Sequence, residues 1–241
     1  MKIDHCKLKI KLVMKDGINL IFDFDSTFVK VEALDELFGI ALASDKNKNE
    51  IVEKIKKITE LGMEGRITFP ESLARRFELL SANKKHVEAL TDMLGRNVSE
   101  SIENNKEFFL KNSQNIYIIS GGFCEYICPV VENFGIKRKN VLANKLIFNE
   151  TGDILGFDKK QLMAQKNGKV REVEKLGLSG ETWIIGDGYT DYQVREAGAA
   201  SKFIAFCENV RREVVVQKAD EVANSFEELL LLIKQKVHKG S

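Results

Sequence analysis

The chain has 241 residues, and 44% of them are hydrophobic, so it is long enough to bury one sizeable core together with a smaller appended domain. Its 37 lysine and arginine residues nearly balance its 36 aspartate and glutamate residues. This balance argues against nucleic acid or an anionic membrane as the main partner. No apolar run reaches the length of a membrane-spanning helix, which is roughly 18 residues.

Four cysteines and three histidines are scattered along the chain, without the spacing of a disulfide framework or a zinc site. We therefore expect reduced thiols and a cytoplasmic location. Residues 1–17 contain lysines interleaved with apolar residues and lack the apolar run of a secretion signal. We interpret them as an N-terminal arm, in which the alternation over residues 7–13 is typical of a half-buried strand.

The first apolar strand pattern, at residues 19–22, ends in Asp23 and Asp25. Residues i and i+2 of a strand point the same way, so both carboxylates should leave the strand on one side. A hard cation would relieve the repulsion between them, and a nucleophile paired with a proton carrier would need both. The alternative interpretation is that the two aspartates cap the next helix.

Apolar residues recur at helical spacing through residues 29–95. Because a simple connection between a strand and a helix needs far fewer residues, we predict an inserted helical cap domain at residues 31–96. Residues 18–30 and 97–241 are then the core that carries this cap.

The rest of the chain alternates predicted strands with predicted helices. Strand patterns lie at residues 115–119, 182–185 and 202–206, and residues 141–148 and 154–157 are typical of a β-hairpin. The alternation predicts an α/β fold with a doubly wound, mostly parallel sheet.

Polar loops follow three of these strands, and ligands of such sheets bind outside the carboxyl ends of the strands. The loop residues are Asp23 and Asp25, then Ser120, Gly121 and Gly122, then Asp187 and Asp191. Aspartates from two strands fit a Mg²⁺ site. The Ser-Gly-Gly loop opens a helix whose N–H groups suit an oxyanion, although such a loop alone is also an ordinary turn.

A lysine should accompany these aspartates, because one divalent cation cannot neutralise four carboxylates and a phosphate dianion. Lys166 and Lys169 both precede the helix that leads to the third strand. We favour Lys169, which follows Asn167-Gly168, and keep Lys166 as the alternative. Surface solvation is the ordinary role of any single lysine.

Taken together, the motifs resemble those of the haloacid dehalogenase-like hydrolases. Asp23-Phe-Asp25-Ser-Thr resembles the first motif of that family, Ser120-Gly-Gly the second, Lys169 the third and Gly186-Asp187-Gly-Tyr-Thr-Asp191 the fourth. The helical segment between the first two motifs is similar to the first type of cap in that family.

Three further stretches are Val31-Glu32-Ala-Leu-Asp-Glu-Leu37, Met63-Glu-Gly-Arg-Ile-Thr-Phe69 and Ser72-Leu-Ala-Arg-Arg76. Through them, residues from about 19 to 235 are most similar, within the family, to the phosphoserine phosphatases. The resemblance implies Mg²⁺-dependent hydrolysis of O-phospho-L-serine to L-serine and phosphate, a reaction of serine biosynthesis, through an aspartyl-phosphate on Asp23. It implies catalytic roles for Asp23, Asp25, Ser120 and Lys169, and metal binding by Asp23, the Asp25 backbone carbonyl, Asp187 and Asp191. It implies substrate binding by Glu32, Met63, Phe69, Arg76, Ser120, Gly121, Gly122 and Thr190.

The chemistry of the substrate agrees with these roles, because a small zwitterion needs one anion and one guanidinium in a closed pocket. Three alternatives stay open. They are a phosphatase or phosphotransferase for another small phosphomonoester such as phosphohomoserine, a dehalogenase, which would not need Asp25, and a non-catalytic phospholigand-binding module. The oligomeric state is also open, with a homodimer as one alternative.

Overall fold

The structure, a computed structural model, describes residues 17–239. The predicted strand at residues 7–13 and the arm up to residue 16 lie outside this range. The strands are β1 (Ile18–Phe22), β2 (Ile116–Phe123), β3 (Val141–Asn144), β4 (Leu146–Phe148), β5 (Ile154–Phe157), β6 (Glu181–Gly186), β7 (Lys202–Phe206) and β8 (Glu221–Ala223).

Helices connect and cover these strands. They are α1 (Ala33–Ala41), α2 (Lys48–Met63), α3 (Phe69–Phe77), α4 (Lys84–Gly95), α5 (Glu100–Asn104), α6 (Lys106–Asn112), α7 (Cys124–Glu132), α8 (Gly168–Leu176), α9 (Tyr189–Glu196), α10 (Glu213–Val216) and α11 (Phe226–Lys239). Within residues 17–239, no helix is long and apolar enough to cross a membrane.

Six strands form one parallel sheet in the order β3-β2-β1-β6-β7-β8. The first strand of the chain is central, and its Leu20 lies between Ile116 of β2 and Trp183 of β6. Leu20 belongs to the apolar core on one face of the sheet, and Ile21 to the core on the other. With helices packed on both faces, the predicted doubly wound α/β fold is confirmed.

Helices α1–α4 lie between β1 and β2 and are called the helical insertion below. Their boundaries follow local signals: the Thr68 side chain accepts the Glu71 N–H at the start of α3, and Pro70 occupies its first turn. The two connections to the sheet lie side by side, because Val29 and Val98 form an antiparallel bridge.

The predicted hairpin is only partly right. Val141–Asn144 is β3, the parallel edge strand beside β2, and only Leu146–Phe148 pairs with Ile154–Phe157 in antiparallel fashion. The apolar run of residues 141–148 continues through both strands, so its pattern does not show where the chain leaves one sheet for the other. The short edge strand β8 was not predicted, because Glu221–Ala223 is too brief to show a strand pattern.

Candidate active site

The end of β1 carries two carboxylates that have different partners. The Asp23 backbone N–H still bonds to the Ile185 carbonyl of β6 (2.9 Å), so this residue continues the sheet. The chain then turns sharply, with Ser26 in the left-handed region at φ 52°. After the turn, Asp25 Oδ1 accepts the N–H of Ala33 (2.8 Å), the first residue of α1. The capping alternative therefore describes one bond of each aspartate, because Asp23 Oδ1 accepts the Phe24 N–H (2.7 Å). Asp23 also belongs to the acidic cluster described next.

Asp23, Asp187 and Asp191 form a buried acidic cluster. One carboxylate oxygen from each lies within 4.8 Å of the other two. Three carboxylates from the ends of two neighbouring strands are the hard oxygen donors that Mg²⁺ prefers, so the residues fit this ion. The Asp25 carboxylate is outside the cluster, and its predicted metal contact is through the backbone carbonyl.

Lys169, at the start of α8, joins this cluster. Its Nζ lies 2.7 Å from Asp23 Oδ2 and 2.7 Å from Asp191 Oδ1. Burial would lower the pKa of Lys169, but the charges of Asp191 and Asp23 raise it above its ordinary value, so the ammonium stays charged. The alternative, Lys166, is exposed. The structure therefore brings Lys169 to the cluster and leaves Lys166 at the surface.

Both oxygens of Asp187 have partners within the protein. Thr27 Oγ1 donates to Oδ1 (3.0 Å), and the Arg212 guanidinium bonds to Oδ2. Arg212 also reaches Glu60 of α2 (3.4 Å) and Glu32 (3.8 Å), so it connects the helical insertion to the sheet. Burial raises the pKa of Asp187 to about 6, against the opposing charge of Arg212.

The predicted Ser120-Gly-Gly loop lies within the end of β2, where the pairing with β3 shifts register, and it is held on both sides. Ser120 Oγ accepts the Gly122 N–H (3.0 Å), and the Asn144 amide donates to the Gly121 carbonyl (2.8 Å). The Phe69 ring of α3 covers Gly121 so closely that an added β-carbon there would lie 2.4 Å from Cε2 of the ring. The loop is therefore fixed, and only glycine permits this close approach.

A cavity of about 40 Å³ lies between the strand ends and the helical insertion. Ten of the predicted site residues line it: Asp23, Asp25, Glu32, Met63, Phe69, Arg76, Gly121, Gly122, Lys169 and Thr190. We call it the inner cavity. Ser120, Asp187 and Asp191 are buried behind its wall. A larger cavity of about 250 Å³ adjoins the inner cavity, because Phe69, Gly121 and Thr190 line both.

Glu32 and Arg76 bring opposite charges to the inner cavity. Glu32 accepts a hydrogen bond from Ser26 Oγ (2.7 Å), and burial, followed by the charge of Asp25, raises its pKa well above the ordinary value. Arg76 is buried, 3.7 Å from Asp35 and 3.3 Å from the Thr59 hydroxyl. The inner cavity thus holds the Glu32 carboxylate, 3.8 Å from the Arg212 guanidinium, and a second guanidinium, that of Arg76, which is fixed by its neighbours.

Burial, followed by the charge of Asp23, raises the pKa of Asp25 to about 7. A carboxyl group with such a pKa can both give and take a proton near neutral pH. This property suits a general acid and base.

Four residues of the site were not predicted by sequence reasoning: Thr27, Tyr126, Asn144 and Arg212. Asn144 and Arg212 lie 23 and 25 residues from the groups they bind, and only the fold brings them together. Thr27 ends the first motif and Tyr126 lies close to the second, but the sequence does not show where the two hydroxyl groups point.

Comparison with known proteins agrees with this geometry. The model of the haloacid dehalogenase-like hydrolase family matches residues 20–196. The chloroplastic phosphoserine phosphatase of Arabidopsis thaliana is 34% identical over 212 residues, which is 87% of this chain and 69% of that protein.

Solved structures are similar over most of the chain. A phosphoserine phosphohydrolase-like protein from Francisella tularensis superposes with a TM-score of 0.80 at 34% identity, covering 89% of this chain and 99% of the other. A phospho-aspartyl intermediate analogue of phosphoserine phosphatase gives a TM-score of 0.73 at 27% identity, covering 91% and 99%.

Proposed function

Since the chain belongs to the haloacid dehalogenase-like hydrolases, we propose that it hydrolyses O-phospho-L-serine to L-serine and phosphate, a reaction of serine biosynthesis. One observation carries the choice of substrate. The inner cavity that Asp23 and Asp25 line also contains Glu32 and the buried Arg76. Phosphoserine has a phosphate for the first pair and an ammonium and a carboxylate for the second.

The two carboxylates after β1 have separate roles in the proposed reaction. Asp23 attacks phosphorus, forms an aspartyl-phosphate and releases the serine alkoxide. Asp25 protonates that alkoxide, then takes a proton from the water that hydrolyses the intermediate. The raised pKa of Asp25, about 7, supports this assignment.

Mg²⁺ is the proposed cofactor, held by Asp23, the Asp25 backbone carbonyl, Asp187 and Asp191. When bound, it would supply positive charge against the phosphate oxygens. The clustering of three of these carboxylates supports the assignment.

The protein itself stabilises charge on the transferring phosphoryl group. Lys169 supplies an ammonium, 2.7 Å from Asp23, and the Gly121 N–H and the Ser120 hydroxyl supply neutral donors. The buried Ser120 hydroxyl accepts the Gly122 N–H, which leaves its proton available for donation.

Substrate selection is proposed to come from the helical insertion. Glu32 binds the ammonium, which restores the ionised state that burial disfavours, and Arg76 binds the carboxylate. Four further predicted residues that line the cavity enclose the substrate: Met63, Phe69, Gly122 and Thr190.

The helical insertion serves as a cap in this proposal, with residues 31–96 as a domain over a core of 18–30 and 97–241. Its closure would exclude water until the ester bond breaks. A cytoplasmic location belongs to the proposal as well, and the free thiols of Cys124, Cys128 and Cys207 support it.

Phosphate release tests this function. We expect rapid release from L-phosphoserine with Mg²⁺, little from phosphothreonine, phosphohomoserine or p-nitrophenyl phosphate, and none with EDTA. Release only from the other esters would keep the aspartate chemistry and contradict the substrate. No release from any of them would favour a non-catalytic binding module.

The nucleophile is tested by Asp23→Asn, because an amide cannot form the aspartyl-phosphate. We expect turnover of L-phosphoserine to fall by about 10⁴-fold or more. The matched control is Asp92→Asn, a change to an exposed residue of α4, which should leave the rate unchanged. Substantial activity in Asp23→Asn would contradict the assignment.

A further inference from the structure

The Tyr126 hydroxyl, in the first turn of α7, is a buried group whose proton has no acceptor among the described residues. The Phe123 backbone offers the oxygen a donor, so the proton of the hydroxyl stays available. Buried polar groups are normally satisfied, so an exception in a binding cavity points to a ligand.

Packing does not account for this hydroxyl. The Tyr126 ring lies against Phe24, with ring centroids 6.4 Å apart, and against Phe123, at 6.1 Å. A phenylalanine would make the same ring contacts without burying a polar oxygen. The tyrosine therefore adds only its hydrogen-bonding capacity to this position.

The hydroxyl is placed where bound substrate would lie. Tyr126 lines the inner cavity, and a β-carbon added at Gly122 would be 2.8 Å from its oxygen. Burial raises the pKa of the phenol well above its ordinary value, so the group keeps its proton and acts as a donor. The charges of Asp25 and Arg76, which line the same cavity, also act on it.

In the proposed complex, the substrate carboxylate has fewer hydrogen-bond donors than the phosphate has. Lys169 and the loop of Ser120 and Gly121 already supply donors to the phosphate. Arg76 is the proposed partner of the carboxylate, and part of its guanidinium is directed to Thr59 and the Ser72 carbonyl. A carboxylate can accept about four hydrogen bonds, so it can use a second donor.

We propose that the Tyr126 hydroxyl donates a hydrogen bond to the substrate carboxylate, beside Arg76, and so helps select amino-acid phosphomonoesters over amine phosphomonoesters. This inference rests on the proposed function, whose site it deepens. It assigns Tyr126 a role in specificity and leaves the phosphoryl transfer to Asp23 and Asp25.

Tyr126→Phe, assayed with L-phosphoserine and with phosphoethanolamine, tests the inference. Phosphoethanolamine keeps the phosphate and the ammonium but has no carboxylate. We expect the ratio of kcat/KM values, phosphoserine over phosphoethanolamine, to fall about tenfold, mainly because KM for phosphoserine rises. The Ki of L-serine as a product inhibitor should rise by a similar factor.

The matched control is Tyr192→Phe, which removes a hydroxyl bonded to Glu196 at the surface and should leave both substrates unaffected. Equal losses on the two substrates in Tyr126→Phe would overturn the inference and place the bond at the phosphate or at Asp25. An unchanged ratio without any loss would overturn it as well.

Failure of the inference is distinguishable from failure of the proposed function. If the unsubstituted enzyme does not hydrolyse L-phosphoserine, the function is wrong and the role of Tyr126 falls with it. If it does, and Tyr126→Phe keeps the ratio, only the role of Tyr126 is wrong. The unsubstituted enzyme and Tyr126→Phe should have similar midpoints of thermal unfolding, because the aromatic ring is retained.

Discussion

Two adjacent arginines of α3 have opposite environments. Arg75 is exposed and pairs with Glu71 on the helix surface at 2.6 Å. Arg76 is buried beside Asp35 and Thr59 and lines the inner cavity. Helical periodicity turns neighbouring residues to different faces, so one position serves the surface and the next the site.

This pair gives a prediction with a built-in control. Arg76→Lys keeps the charge but loses the planar fork that matches a carboxylate, so we expect KM for L-phosphoserine to rise by about tenfold or more. Arg75→Lys should change it by less than about twofold, because exposed ion pairs contribute little. Steady-state kinetics on both variants would decide, and equal effects would contradict the proposed role of Arg76.

At the scale of elements, the start of α3 packs directly against the Ser120-Gly-Gly segment at the end of β2. The Phe69 ring occupies the space that a side chain at Gly121 would need. The close approach of α3 to this end of β2 therefore depends on the missing β-carbon of Gly121.

Gly121→Ala should force Phe69 away and lower kcat/KM for L-phosphoserine by about a hundredfold, by preventing close contact over the site. A double-mutant cycle with Phe69→Ala measures the coupling: the double variant should be no worse than Phe69→Ala alone. Additive losses would show that the glycine matters for another reason. Gly95→Ala, where an added β-carbon meets nothing within 4 Å, is the matched control.

Sequence patterns predicted the elements that carry the chemistry, because apolar strands with polar ends are local signals. The sequence patterns alone place Asp23, Ser120 and Asp187 at the carboxyl ends of parallel strands. Arg212 could not, since its place depends on the chain returning after β7. The apolar run that begins at Val141 predicts a hairpin, but Val141 belongs to a parallel strand beside β2. Such a run does not reveal which strand will lie next to it.

At the scale of the whole molecule, buried negative charge is concentrated at the carboxyl ends of the central strands β1 and β6. Asp23, Asp187 and Asp191 are all buried, and Lys169 lies among them. Separating such charges from water costs free energy, which a bound cation would offset. Binding of a cation at this cluster should therefore increase the free energy of unfolding.

Addition of Mg²⁺ should raise the midpoint of thermal unfolding. A concentration of about 100 times Kd stabilises the folded state by about 2.7 kcal/mol, equivalent to roughly 5–10 °C for a chain of this size. Asp187→Asn should lose most of this shift, and Asp92→Asn should keep it. Calorimetry without substrate measures this, and an equal shift in Asp187→Asn would contradict the metal site.

The antiparallel bridge between Val29 and Val98 has a consequence for how the substrate preference of this enzyme could evolve. Its neighbouring bond, from the Lys30 N–H to the Asn97 carbonyl (2.8 Å), closes the neck through which the chain leaves and re-enters the sheet. We expect residues 31–96, the proposed cap, to exchange at this neck as one module when the bridge from Asn83 to Asp153 is kept. Recombination at these two points could replace Arg76 and its surroundings, and with them the choice of substrate, while the gene segments that encode the reacting aspartates remain as they are.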